Sequence, residues 1–95
     1  MATGDVISAL TSTAASGFLD VKPASGVEWV IHNLYHEAAG ELYISDGTNS
    51  ILLMTDSAQG GWIGFYLHVN NTRYLRIKNT DAGTKYLGYD GVITK

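Results

Sequence analysis

Apolar and polar positions alternate along most of this chain, in short runs separated by turn signals. Residues 18–22 end at Pro23-Ala24-Ser25-Gly26, a turn with proline early and glycine late. Residues 27–36 form the longest strand candidate, β-branched and aromatic, interrupted at Asn33. A bulge there would swap the buried face, so that Trp29, Ile31 and then Leu34 all point inward. Ala38-Ala39-Gly40 reads as a short hairpin loop. Residues 41–45 and 50–55 flank Asp46-Gly47-Thr48-Asn49, a hairpin signal because Asp and Gly both tolerate positive φ.

In residues 61–69, Ile63, Phe65 and Leu67 are expected on one face and Trp62, Tyr66 and His68 on the other. Asn70-Asn71 turns the chain into residues 73–79. There Leu75 and Ile77 face one way, and Tyr74, Arg76 and Lys78 the other. Asp81-Ala82-Gly83 leads to a last strand over 85–93, kinked at Asp90-Gly91. Apolar residues nowhere repeat with helical spacing over three turns. The reading is all-β: an antiparallel β-sandwich of about eight strands.

Residues 1–16, rich in Ala, Ser, Thr and Gly, leave two readings open. They contain an ordinary first strand over 5–11 followed by a loop, or they form an extended N-terminal arm that docks on a neighbouring subunit through Asp5, Val6, Ile7 and Leu10. Residues 17–95 are the sandwich domain. A chain of 95 residues has no room for a second one.

Composition adds one unusual feature. Charged residues are 16% of the chain, against about 25% in a typical soluble domain, while hydrophobic residues are an ordinary 45%. The surface is therefore built largely from neutral polar groups, glycine and aromatics. That excludes a disordered tail and a coiled coil. The net charge of −3 speaks against nucleic acid as a partner. No apolar run approaches the ~18 residues of a membrane span, and residues 5–15 lack the basic start of a signal peptide. The absence of cysteine removes disulfides, thiolate metal sites and cysteine nucleophiles.

Candidate chemistry is sparse. His32 and His36 lie four apart on a strand, well over 10 Å at about 3.3 Å per residue, too far for one zinc ion. Asp46, Asp56, Asp81 and Asp90 sit in turn-like contexts, where side chain to backbone hydrogen bonds explain them better than calcium ligation does. Gly60-Gly61-Trp62-Ile63-Gly64 lacks the lysine and the following helix of a phosphate loop. No nucleophile–base pair or metal set is visible, so neither an enzyme nor a cofactor is expected. Arg73, Arg76, Lys78 and Lys85, interleaved with Tyr74 and Tyr86, read as a solvated face with cross-strand pairs, or as a contact for an acidic surface. Tyrosines and tryptophan exceed what so small a core can hold. Tyr35, Tyr43, Trp62, Tyr66, Tyr74, Arg76 and Tyr86 are the expected oligomer interface or ligand platform.

The run Val21-Lys22-Pro23-Ala24-Ser25-Gly26-Val27-Glu28-Trp29-Val30-Ile31, the segments Tyr43-Ile44-Ser45-Asp46-Gly47-Thr48-Asn49 and Tyr74-Leu75-Arg76-Ile77-Lys78-Asn79-Thr80, and Gly88-Tyr89-Asp90-Gly91 together resemble small jelly-roll-like virion proteins of tailed bacteriophages. These are capsid decoration (cement) proteins and head-fibre or tail-associated modules. The resemblance covers most of the chain from Gly17 and is one of strand and turn grammar. It implies a homo-oligomer, commonly a trimer, seated on the major capsid protein. It also implies a place on the virion surface after assembly in the host cytoplasm. The alternative is a host-receptor or carbohydrate-binding sandwich of a tail or head fibre, with Trp62, Tyr66 and Tyr74 stacking on a host glycan.

Overall fold

The computed structural model describes residues 2–95; Met1, the first residue of the expected arm, lies outside the described residues. Among the described residues the chain forms eight strands and no helix: β1 (Val6–Thr13), β2 (Phe18–Val21), β3 (Trp29–His36), β4 (Gly40–Ser45), β5 (Ser50–Asp56), β6 (Gly60–Val69), β7 (Tyr74–Asn79) and β8 (Lys85–Ile93). They make two four-stranded antiparallel sheets. Sheet A has the order β1-β8-β3-β6, and sheet B the order β2-β7-β4-β5.

The pairing is nested. β1 pairs with β8, β2 with β7, β3 with β6 and β4 with β5. This is one long antiparallel hairpin, folded at the β4–β5 turn and rolled so that alternate pairs fall in opposite sheets. Contacts β3–β8 and β4–β7 close the roll. The result is the double-sheet jelly roll.

The core lies between the sheets. Ile7, Ile31, Leu34, Leu87, Ile93, Trp62 and Val69 from sheet A meet Val21, Leu42, Leu75 and Ile77 from sheet B. Alternation puts these side chains on the inner faces, and burying each stabilises the fold by about 1.5–3 kcal/mol relative to exposure. The turns are held as their residue types require. Asp46 Oδ1 accepts the backbone N–H groups of Thr48 and Asn49 at 2.9 and 2.7 Å. Asn70 Oδ1 does the same for Thr72 and Arg73. Buried Asn79 donates through Nδ2 to the carbonyls of Thr13 and Gly83, each at 2.9 Å, tying the β1–β2 crossing to the β7–β8 turn.

Two irregularities decide which side chains face out. The register of β3 against both β6 and β8 shifts between Ile31 and Asn33, so Trp29, Ile31 and Leu34 all point inward. The second sits on β6, where Gly64 has φ +78°, a conformation that L side chains rarely adopt. This bulge reverses the expected faces over half the strand. Trp62 is 8% exposed and belongs to the core, while Ile63 is 69% exposed. Beyond the bulge, Phe65 and Leu67 pack inward and Tyr66 points out.

Val6–Thr13, within the segment read as either arm or strand, is the edge strand of sheet A. It pairs with β8 without a break from Val6↔Val92 to Thr13↔Lys85. Ile7 is buried in the core, while Val6 and Leu10 point outward at 72% and 68% exposure.

Candidate functional site

The two outer faces are built from different residues. On sheet B, cross-strand rows carry charge: Asp20 lies opposite Arg76 and Arg76 opposite Tyr43, and Phe18 lies opposite Lys78 and Lys78 opposite Glu41. Arg76 Nε donates to Asp20 Oδ1 at 2.7 Å, and the guanidinium sits 4.1 Å from the Phe18 ring centroid. Lys22 Nζ lies 4.7 Å from the Tyr74 ring centroid. Tyr43 Oη donates to Glu41 Oε1 at 2.6 Å. That hydrogen bond, with some burial and the adjacent negative charge, holds the Tyr43 hydroxyl above the usual tyrosine range. This is a solvated, self-paired surface.

Sheet A differs. Its strands contain only two formally charged residues, Lys85 at the start of β8 and Asp90 in its middle. The outward rows place Val6 beside Val92, Val30 and His68; Ser8 beside Asp90, Asn33 and Ile63; and Leu10 beside Gly88, Tyr35 and Gly61. Exposed Tyr86 extends the same face opposite Ser12.

The centre of this face is a hydrogen-bonded chain across three strands. Asp90 on β8 accepts from Tyr35 Oη through one carboxylate oxygen. Its other oxygen accepts from Asn33 Nδ2 at 2.8 Å. Asn33 Oδ1 in turn accepts the backbone N–H of Gly64 at 3.0 Å, so the cluster also pins the β6 bulge. The single carboxylate is thus satisfied by neighbours on its own face. The Tyr35 ring lies against the glycines on either side. A side chain at Gly88 would meet Tyr35 Cδ2 at 3.2 Å and Leu10 Cδ1 at 3.0 Å, and one at Gly61 would meet Tyr35 Cδ1 at 3.6 Å. Glycine at 88 leaves room for the ring, while at 61 the closer limit is the Leu34 carbonyl oxygen, 2.8 Å from where a Cβ would lie. Around the cluster stand Leu10, Ile63 and an aromatic group in which Tyr66 packs against His32 at 5.3 Å and His68 at 5.8 Å between ring centroids.

The expected interface residues divide accordingly. Tyr35, Tyr66 and Tyr86, with Val6 and Leu10, share the outer face of sheet A. Tyr43 and Arg76 lie on the outer face of sheet B. Trp62 and Tyr74 are each 8% exposed, so neither offers a ring for stacking. Trp62 faces inward because of the Gly64 bulge and packs on His36 at 4.5 Å between centroids. Tyr74 lies under Lys22. Asp5 is occupied locally, accepting the Ala2 backbone N–H at 2.9 Å.

Sequence reasoning passed over Asn33 and Asp90 as members of this site. The bulge at Asn33 was a partial signal, but only the β3–β8 register sets that residue beside Asp90 on the outward row.

No protein-family profile matches this chain, and neither does any curated protein.

The histidines separate by face as well. His32 lies outside, its Nδ1 3.2 Å from the Phe65 carbonyl oxygen. His36 is inside, with Nδ1 2.8 Å from the Ala38 carbonyl oxygen and Nε2 3.4 Å from Asp56 Oδ2. Groups of three or more His, Asp or Glu able to hold a metal ion are absent among the described residues.

Proposed function

We propose that this chain is a structural subunit that works by seating the outer face of sheet A on a larger assembly. The setting proposed, on the resemblance to tailed-phage virion proteins, is the outside of a phage head, where the subunit bridges capsid proteins as a decoration protein. The observation that carries the docking is the exposed apolar content of that face. Val6, Leu10, Ile63, Tyr66 and Tyr86 are 72%, 68%, 69%, 72% and 50% exposed around one internally satisfied carboxylate. An outer face this rich in exposed apolar side chains, with a single charge that is paired within the face, has the composition of an interaction surface. The jelly roll is used by capsid and lectin domains alike, so the fold alone does not choose between these roles.

The mechanism is burial, with no chemical step. The Tyr35 ring covers the backbone at Gly88 and Gly61, and the Asp90–Tyr35–Asn33 chain holds the one charge of the face in place. The expected glycan platform is not supported in its original form, because two of its three rings, Trp62 and Tyr74, are buried.

Antibody against the full chain, used for immunogold labelling of particles from the source culture, tests the setting. Label over heads is the expected result; label confined to tails, or none on any particle, contradicts it.

A further inference from the structure

Four strands end the two sheets, and they are not equally guarded. β2 is four residues long and carries Asp20. β6 is bent by the Gly64 bulge, and along β1 exposed Val6 and Leu10 alternate with serine. β5 is different. It pairs only with β4 and, like β1 and β6, has no proline and no charge before its last residue; what sets it apart is the aliphatic run Ile51-Leu52-Leu53-Met54. A register shift between Leu42 and Tyr43 leaves Leu53 as the extra residue on β5. Ile51, Leu52 and Leu53 therefore all reach the surface in succession, at 63%, 48% and 43% exposure. Beside them lies an open apolar groove of about 320 Å³ between the edges of the two sheets, lined by Leu53, Met54, Phe65, Tyr66 and Leu67 with Leu42 among them.

We propose that β5 is a self-association edge: the β5 strands of two copies pair antiparallel about a two-fold axis near Leu53, joining two B sheets into one of eight strands. An edge of this kind offers unpaired N–H and C=O groups to another strand, and main-chain hydrogen bonds supply such addition. A second copy suits the edge for two reasons. An antiparallel pairing centred on Leu53 sets Asp56 opposite the neutral Ser50, so no like charges meet. The edge also offers apolar area to a second copy. The exposed parts of Ile51, Leu52 and Leu53 come to roughly 300 Å², and the groove beside them adds to that toward the ~800 Å² per partner of a standard interface. The strand backbone and its polar side chains add to this. A two-fold contact is isologous and closes at two copies, which distinguishes it from the trimer that the resemblance implies. The inference does not depend on docking through sheet A, because the pairing strand belongs to sheet B and the two surfaces share only Tyr66 at the rim of the groove.

The test is the solution mass of the full chain by light scattering across micromolar concentrations, for the native sequence and for Leu53→Lys and Ile51→Lys. Both positions are at the surface, and circular dichroism checks that each variant keeps its fold. The native chain is expected to be a dimer, and each lysine variant to raise the dissociation constant at least tenfold. Leu10→Lys, on sheet A, is expected to remain dimeric. A native monomer or trimer, or a dimer that both β5 lysines leave intact, overturns the proposal. Loss of particle binding in Leu10→Lys without loss of the dimer reports on the sheet A docking alone.

Discussion

Sheet A and sheet B share one core and one set of turns, yet their outer faces follow different rules. Sheet B spends its outward positions on Asp20, Arg76, Lys78 and Glu41, which pair with each other and with Phe18 and Tyr43. Across β2, β7 and β4 such a face is complete in water. Sheet A uses its outward positions for Val6, Leu10, Tyr35, Ile63, Tyr66 and Tyr86 over a glycine floor, with one carboxylate already satisfied. Such a face gains from being covered. The difference shows that the low charge of the chain is not spread evenly over the surface: it marks the outer face of sheet A and, on sheet B, the edge strand β5.

The largest effect is expected from the two glycines of β8, which lie close against neighbouring backbone. A Cβ at Gly88 would lie 2.6 Å from the Ala9 carbonyl oxygen, and one at Gly91 would collide with the Val30 carbonyl and reach 2.9 Å from Ile31 Cα. Gly91→Ala is expected to prevent folding or to lower stability by more than ~3 kcal/mol, and Gly88→Ala by about 1–3 kcal/mol, in urea melts. A Gly91→Ala protein as stable as the native one would show that the close approach on sheet A is not required.

Next comes the Asp90 cluster. Asp90→Ala leaves Tyr35 Oη and Asn33 Nδ2 without their acceptor and is expected to cost about 1–3 kcal/mol. The matching change on the other face, Asp20→Ala, removes an exposed ion pair and is expected to cost at most ~1 kcal/mol. Equal losses in the two variants would erase the distinction between a built cluster and a solvated pair.

Smaller still are Leu10→Lys and Ile63→Lys, which are expected to change stability by no more than about 0.5 kcal/mol, because both side chains are already in water. The smallest effect is alkaline. Tyr43, raised by its hydrogen bond to Glu41, and Tyr89, raised by burial, both hold their protons above the usual tyrosine value of 10.0 in the folded chain. The stability this gives is fully present below the unfolded value and is lost as pH rises through the folded ones. A spectrophotometric titration should find Tyr43 and Tyr89 ionising late, and the Glu41→Gln variant should advance the Tyr43 step without moving that of Tyr89.

Much of the architecture was legible in the sequence because turn chemistry is local. Asp46, Asn70 and Asp81 use their side chains as their sequence contexts suggest, and strands are found between those turns. The break near Asn33 was legible too, since Trp29, Ile31 and Leu34 cannot share a face without it. What alternation could not supply is the second bulge. Nothing in Trp62-Ile63-Gly64-Phe65 announces that Gly64 takes a positive φ, and one such residue moved Trp62 from the expected platform into the core. Tyr74 was placed on the correct face, but its burial under Lys22 depends on a neighbour from another strand. The nested pairing that makes β1 an edge strand is likewise a long-range property, invisible in residues 1–16 alone.

The central claim is that sheet A, and not sheet B, carries the docking surface. The most direct test compares two double variants for co-sedimentation with decorated-type phage heads stripped of this chain. Leu10→Lys/Ile63→Lys changes sheet A, and Arg76→Ala/Lys78→Ala changes sheet B. The account predicts that the first loses at least tenfold in binding while the second binds as the native chain does. Unchanged binding by the first, with loss in the second, would contradict it.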